Sequence, residues 1–305
     1  MSKIRIGISG WRYAPWRKQF YPEGLTQSKE LAFASRAVSS IEINGSFYAL
    51  QTPQRYAQWR DDTPDGFVFS VKAPRYITHV RRLKDIEEPL ANFFASGPLQ
   101  LGDKLGPILW QFPPSLKFDP QRFTDFLQRL PHDRAAAAQC ARHCAARLHK
   151  DGAFDSLGNG PLRHAVEIRH DSFRDPAFVE LLRQHRVALV VADTAGKWPY
   201  LEDLTADFLY LRLHGDAELY ASGYTDSALQ RWAQRIRTWT RGQQPGDAQL
   251  AGERKAAVSG AKDLYCYFDN DLKVRAPFDA RSLMKRLKLD RHLQTEPGIA
   301  PPTPL

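Results

Sequence analysis

Residues 4–13 read Ile4-Arg-Ile-Gly-Ile-Ser9-Gly10-Trp11-Arg12-Tyr13. Ile4, Ile6 and Ile8 alternate with Arg5, Gly7 and Ser9, the period-two pattern of a strand with one apolar face. The turn after this strand decides the fold. An open dinucleotide-binding sheet places a Gly-x-Gly-x-x-Gly turn here, because the backbone must come close to a pyrophosphate. One glycine and then Trp11, Arg12 and Tyr13 stand there instead. Working outward, strand-length apolar runs recur at 39–44, 67–72, 107–112, 164–169, 187–193, 208–214 and 264–269. Helical patterns lie between most of them, at 28–37, 53–60, 86–95, 121–130 continuing into 134–148, 176–184, 227–240 and 280–288. Strand and helix alternate, which indicates parallel βαβ units. We therefore expect an α/β fold, a single-domain (β/α)8 TIM-type barrel over residues 1–290. The Pro-rich tail 291–305 and the Gly-, Gln- and Ala-rich stretch 242–262 are expected to be flexible.

The chain has 305 residues, 43% of them hydrophobic, with 43 Lys and Arg against 34 Asp and Glu for a net charge of +9. A chain of this length buries about three quarters of its unfolded surface, so its core needs no disulfide staples. No apolar run approaches the ~18 residues of a membrane helix, and the first strand starts too near Met1 to leave room for a signal peptide. A cytoplasmic protein without a membrane partner is expected. Cys140, Cys144 and Cys266 are an odd count without a Cys-x-x-Cys pair, which argues against a disulfide framework or zinc ribbon. The positive charge invites a polyanion, yet its Lys and Arg are interleaved with acids, as on a surface kept basic for solubility.

Period-two arithmetic sorts the strand residues. With the apolar half of each alternation turned toward the helices, the polar half faces the barrel interior. Inward positions are then Glu42 and Asn44, Ser70 and Lys72, Leu109 and Gln111, Glu167 and Arg169, and Tyr210, Arg212 and His214. The sixth strand, apolar on both faces, ends at Asp193. Barrel interiors are normally filled by Val, Ile and Leu, and catalytic groups come from the C-terminal ends of several strands. Strand after strand here ends in a polar or charged inward residue. These residues either plug the barrel as a structural network or line a site at its C-terminal mouth, and so many buried charges favour the site.

The same segments carry a family resemblance. Ile6-Gly-Ile-Ser-Gly-Trp11, Phe20-Tyr-Pro22, Ile41-Glu-Ile-Asn44 with Phe47-Tyr48, Phe69-Ser-Val-Lys-Ala-Pro74, Thr78-His79, Leu109-Trp-Gln-Phe-Pro-Pro114, Val166-Glu-Ile-Arg-His170, Leu211-Arg-Leu-His-Gly215 and Phe268-Asp-Asn-Asp271 resemble the domain of unknown function 72 (DUF 72, YecE-like) family. They run through nearly the whole chain in order. The resemblance implies a TIM-type barrel and says far more about fold than about activity. Asp269 departs from the Asn expected there, and the 131–160 connection looks particular to this chain.

Several chemistries fit the inward residues. The loop from Lys72 to Arg82 brings cations and His79 over the mouth, and Arg212 and His214 precede Gly215, which suggests an anionic small molecule, phosphorylated or carboxylated, with sugar-like compounds among the candidates. Glu42, Asn44, Tyr48, His79, Gln111, Arg169, Arg212, Gly215 and Asn270 are the candidate binding residues. His214 serves either a ligand or the core. Glu167 and Asp193 are candidates for general acid/base work, or counter-ions of an arginine. Lys72 forms a Schiff base only where its neighbours depress its pKa, and an acid-rich interior is expected to raise it. A divalent-metal enzyme is a further alternative, with Glu42, Glu167, Asp193, His214 and Asp269 as ligands. Arg169 and Arg212 compete for those carboxylates, so no metal is expected, nor an organic cofactor. Cys140, His143, Cys144 and His149 read as incidental members of a surface helix. The aromatic segment 11–21 either packs over the barrel end or stacks on bases, and a nucleic-acid-binding protein or nuclease is the alternative of a different class.

Overall fold

In a computed structural model, which describes residues 2–216, 222–252, 262–270 and 273–298, strand and helix alternate around a closed barrel. The strands are β1 (Ile4–Ser9), β2 (Ser40–Ile43), β3 (Val68–Lys72), β4 (Leu105–Gln111), β5 (His164–Glu167), β6 (Ala188–Asp193), β7 (Phe208–Leu213) and β8 (Asp263–Phe268). Each pairs in parallel with its sequence neighbours, and β8 closes on β1. Among the described residues the helices are α1 (Glu30–Ala37), α2 (Gly45–Tyr48), α3 (Pro53–Asp62), α4 (Glu87–Ala95), α5 (Pro120–Arg129), α6 (Arg134–Ala141), α7 (Pro176–Gln184), α8 (Asp226–Thr240) and α9 (Ala276–Arg286). Thr52 and Asp175 cap α3 and α7 by accepting from Arg55 N and Ala177 N, and Pro53 and Pro176 occupy first-turn positions.

Period two holds in three dimensions. The layer between strands and helices contains Ile6, Ile8, Ile41, Ile43, Phe69, Val71, Val166, Leu209, Leu211 and Leu213. A separate cluster of Leu109, Ala165, Ala188, Val190, Ala192, Phe208, Tyr210, Tyr265 and Tyr267 fills the interior. Tyr267 hydroxyl lies 2.7 Å from both Ser40 Oγ and Ser70 Oγ, which satisfies polar groups at the barrel centre. Gly7 faces this interior where a Cβ would come 1.7 Å from Ser40 O, so the approach of β1 to β2 requires glycine.

One expectation is corrected. The helical pattern across 121–148 is two helices, α5 and α6, because Pro131 cannot continue the first; α6 stops at Ala141. The stretch 242–252 is held: Gln249 N donates to Glu202, and Ala251 N and Gly252 N donate to Asp203, each at 2.9 Å. In the described part of the tail, Gln294 N donates to Arg36 O and Gly298 N to Phe20 O. The remainders of those two segments, 253–261 and 299–305, and Asp271 lie outside the described residues. No helix among the described residues is long and apolar enough to cross a membrane.

Candidate functional site

Arg212, near the C-terminal end of β7, organises the mouth of the barrel. It is fully buried, and its donors are committed to three carboxylates from three directions. Nε donates to Glu42 Oε2 at 3.1 Å and Nη2 to Glu42 Oε1 at 2.9 Å. Nη1 donates to Glu167 Oε2 and Nη2 to Asp269 Oδ2, each at 2.7 Å. Such forked, charge-assisted contacts are what makes burial of a guanidinium tolerable. The carboxylates have further donors. Glu42 accepts from Ser9 Oγ and Tyr210 hydroxyl, each at 2.6 Å, and Glu167 from Gln111 Nε2 and Arg169 Nε, each at 2.9 Å. Asn44 Nδ2 donates to Ser9 Oγ at 2.7 Å, and His214 Nδ1 stands 3.1 Å from Asp269 Oδ2.

This network fixes protonation. Burial pushes the Glu167 carboxyl up, but Arg212 and then Arg169 outweigh it and hold it well below the usual carboxylate range. Asp269 is held down in the same way, chiefly by Arg212 against its burial. Both carboxylates are thereby held in the charged form, with Glu167 as a counter-ion of Arg212 and Arg169. The carboxylate at Asp269, in place of the expected Asn, is the third negative charge around Arg212.

Two further cations rest on aromatic faces. Lys72 Nζ, at the end of β3, lies 4.2 Å from the Phe47 ring centroid, and Arg169 lies 3.7 Å from that of Trp198. His79 meets the Phe47 ring edge-on at 5.1 Å and shares a 2.8 Å hydrogen bond with Thr78 Oγ1 through Nδ1. Burial and the charges of Lys72 and Arg169 depress His79 to about 4, so its imidazole is neutral at physiological pH. Lys72 is lowered to about 8, by burial first and the Arg212 charge second, against the opposing pull of Glu42, Glu167 and Asp269. The acids do pull it upward as expected, but burial and then the Arg212 charge outweigh them, so the net shift is downward.

The loop between β3 and α4 that carries His79 is strained. It contains one π-helical turn, Tyr76–Val80, and after it positive φ at the non-glycine residues Arg82 (49°), Leu83 (67°) and Asp85 (46°). Such conformations cost energy and concentrate at binding and active sites.

The sequence-derived residues divide accordingly. Glu42, Asn44, Lys72, His79, Gln111, Glu167, Arg169, Arg212 and His214 gather at one end of the barrel. Asp193 does not face the interior: Ala188, Val190 and Ala192 take the inward positions of β6, and Asp193 accepts from Tyr224 hydroxyl at 2.9 Å on the outer side. A strand apolar on both faces offers no alternation from which to read this. Gly215 N donates to the same Tyr224 hydroxyl, and Asn270 Nδ2 donates to Ser222 O and Asp279 Oδ2, so both brace loops. Tyr48 is 72% exposed and lines a cavity of about 410 Å³ with Phe47, Arg75 and Tyr76. Arg212 itself is sealed from any ligand. In the aromatic segment, Trp11, Trp16, Phe20 and Tyr21 are buried, with Trp11 edge-on to Trp59 at 5.3 Å, so these rings pack over the barrel end. Cys140, Cys144 and Cys266 are free thiols. No group of three or more His, Cys, Asp and Glu disposed to hold a metal occurs among the described residues. Ser9 and Trp198 are the residues that reasoning from sequence missed. Ser9 has the inward parity of β1, while Trp198 lies after β6 in a loop without periodicity.

Fold and mouth together define a (β/α)8 barrel whose interior is apolar at one end and ionic at the other. Comparison with known proteins then places the chain: it belongs to the family described as "Protein of unknown function DUF72", which matches residues 5–303. It is 30% identical over 186 residues to UPF0759 protein YecE of Escherichia coli (strain K12), covering 56% of this chain and 65% of that protein. UPF0759 protein YunF of Bacillus subtilis (strain 168) is 32% identical over 116 residues, 36% of this chain and 40% of the relative. Each match spans less than two thirds of the relative's own length. The crystal structure of a DUF72 family protein from Thermotoga maritima MSB8 superposes with a TM-score of 0.69 at 25% identity, covering 94% of this chain and 99% of that one. One from Enterococcus faecalis V583 gives 0.64 at 18% identity with 99% of each chain covered, a likeness of fold.

Proposed function

We propose that this protein binds a small anionic molecule, phosphorylated or carboxylated, over the C-terminal mouth between Lys72, Arg169 and His79, and acts on it by acid/base chemistry. The observation that carries this reading is the state of Lys72. Glu42, Glu167 and Asp269 all pair with Arg212, and none forms an ion pair with Lys72, whose ammonium faces an aromatic ring instead. An anion could meet Lys72 and Arg169 without dismantling the Arg212 network. Arg169, half-buried at the rim and steadied by Trp198 and Glu167, supplies a planar donor group beside it. Lys72, brought to about 8, has a proton affinity near the operating pH that acid/base work uses, whereas His79 is neutral there and Glu167 is held charged as a counter-ion.

Thermal denaturation with inorganic phosphate, sulfate and a panel of phosphorylated and carboxylated metabolites tests the reading. A saturable rise in Tm is expected by mass action, lost in Lys72→Met and reduced in Arg169→Met, and unchanged in Arg81→Ala on the outer loop. The stabilisation should also weaken above about pH 8, where Lys72 loses its charge. Tight oligonucleotide binding that falls steeply with salt and survives Lys72→Met would replace this reading with a nucleic-acid one.

A further inference from the structure

We propose that Lys72 is a nucleophile that forms an imine with an aldehyde or ketone carried by the anion bound at the mouth, an inference that rests on the anion-binding reading above. Lys72 ends β3 at the C-terminal face, where barrel enzymes present reacting groups. Most buried lysines are held protonated by a carboxylate, and a protonated amine has no lone pair to give. Here the groups around Lys72 leave it able to deprotonate. Burial disfavours its charged form first, and Glu42 from β2, Glu167 from β5 and Asp269 after β8, which pull the other way, are bound to Arg212, whose own positive charge opposes a second one nearby. Arg169 just after β5 and His79 from the loop after β3 complete the titratable and charged surroundings, and His79 is neutral. The Phe47 ring against Nζ tolerates the neutral amine as well as the ammonium. With a pKa of about 8, roughly a quarter of Lys72 is neutral at pH 7.5, against about one in a thousand for an ordinary lysine.

The step balances without a co-reactant. The amine lone pair attacks the carbonyl carbon, the C–N bond forms and the C–O bond breaks. The two amine hydrogens leave with the carbonyl oxygen as water. The substrate class is therefore a small 2-oxo acid or an open-chain phosphorylated aldose or ketose, whose anionic group is placed by Arg169 while its carbonyl reaches Nζ.

Borohydride trapping tests this. The full-length protein is incubated with pyruvate or dihydroxyacetone phosphate, reduced with sodium borohydride and analysed by intact mass and peptide mapping. Lactate and glycerol 3-phosphate serve as controls without a carbonyl. The expected result is one adduct, of the carbonyl compound's mass less one oxygen atom, on the peptide containing Lys72, formed on the order of tenfold or more faster than on other lysines. Its rate should rise with pH and level off just above pH 8, whereas surface lysines keep gaining reactivity toward pH 10. Lys72→Arg, which keeps the charge, should retain anion-dependent stabilisation and form no adduct. Stabilisation by these anions without a Lys72-selective adduct overturns the imine and leaves the binding reading standing. An adduct spread evenly over lysines also overturns it. Neither stabilisation nor adduct with any probe removes both.

Discussion

The two ends of the barrel interior are built from opposite materials. Toward the N-terminal end, Phe208, Tyr265, Ala165, Ala188 and Val190 fill the space, and Arg163 with its partners Asp207 and Asp263 stays at the solvent edge. Toward the C-terminal end the fully buried Arg212 holds Glu42, Glu167 and Asp269, with Lys72 and Arg169 above them. Burying apolar surface lowers the free energy wherever it occurs, whereas a buried ion pair recovers its desolvation only when the geometry is good. The apolar end is sufficient to hold a barrel closed. The ionic end adds little net stability and much chemical order: one guanidinium is sealed in, three carboxylates are locked, and one lysine is left without an acid partner.

This contrast makes graded predictions. Arg212→Met should have the largest effect, because it leaves Glu42, Glu167 and Asp269 buried and uncompensated. A loss of about 3–5 kcal/mol or more is expected in urea denaturation, and stability equal to the parent would show that the network holds nothing together. In the apolar cluster of the interior, Leu109→Ala should cost about 2–5 kcal/mol through a cavity. That cost should be insensitive to pH, which separates it from the ionic end. The folded-state pKa of Glu167 lies below its unfolded value, so its stabilisation is present above the usual carboxylate range and lost as pH falls through it. Glu167→Gln should flatten this acid limb and Leu109→Ala should leave it unchanged.

Lys72→Met should act with the opposite sign. The folded amine has a pKa of about 8 and the unfolded one about 10.4, so the unfolded chain binds more protons between those values and parent stability rises across them. The variant should therefore be more stable than the parent at pH 7, by about 1–3 kcal/mol, with the advantage gone by about pH 10.5. A destabilised Lys72→Met with an unchanged pH profile would make the lysine a structural member of the network. The smallest effect is expected at Arg81, paired with the exposed Asp85 on the outer loop, where Arg81→Ala should change stability by less than about 0.5 kcal/mol.

Much of this architecture was legible in the amino-acid order. β1 and α7 lie at the positions their patterns predict, and Ile41 and Ile43 face outward while Glu42 faces in, because alternation and capping are local properties of a few consecutive residues. The same locality explains the misreadings. β6 is apolar on both faces, so nothing in 187–193 announces that Asp193 points away from the interior. Tyr48, Gly215 and Asn270 were recognisable as family positions, yet a motif does not say which way a loop turns its side chains. The sequence by itself therefore determined the eight strands, the inner and outer faces of those that alternate, and most of the charges delivered to one end. Which charge neutralises which was decided only by tertiary structure. Arg212 and Glu42 stand 170 residues apart, and closure of the barrel brings them to 2.9 Å. Once that contact forms, the dielectric and the geometry of the closed mouth dictate that Lys72, and not Arg212, keeps an unclaimed charge, since Coulomb energies depend on distance in space and not on separation along the chain.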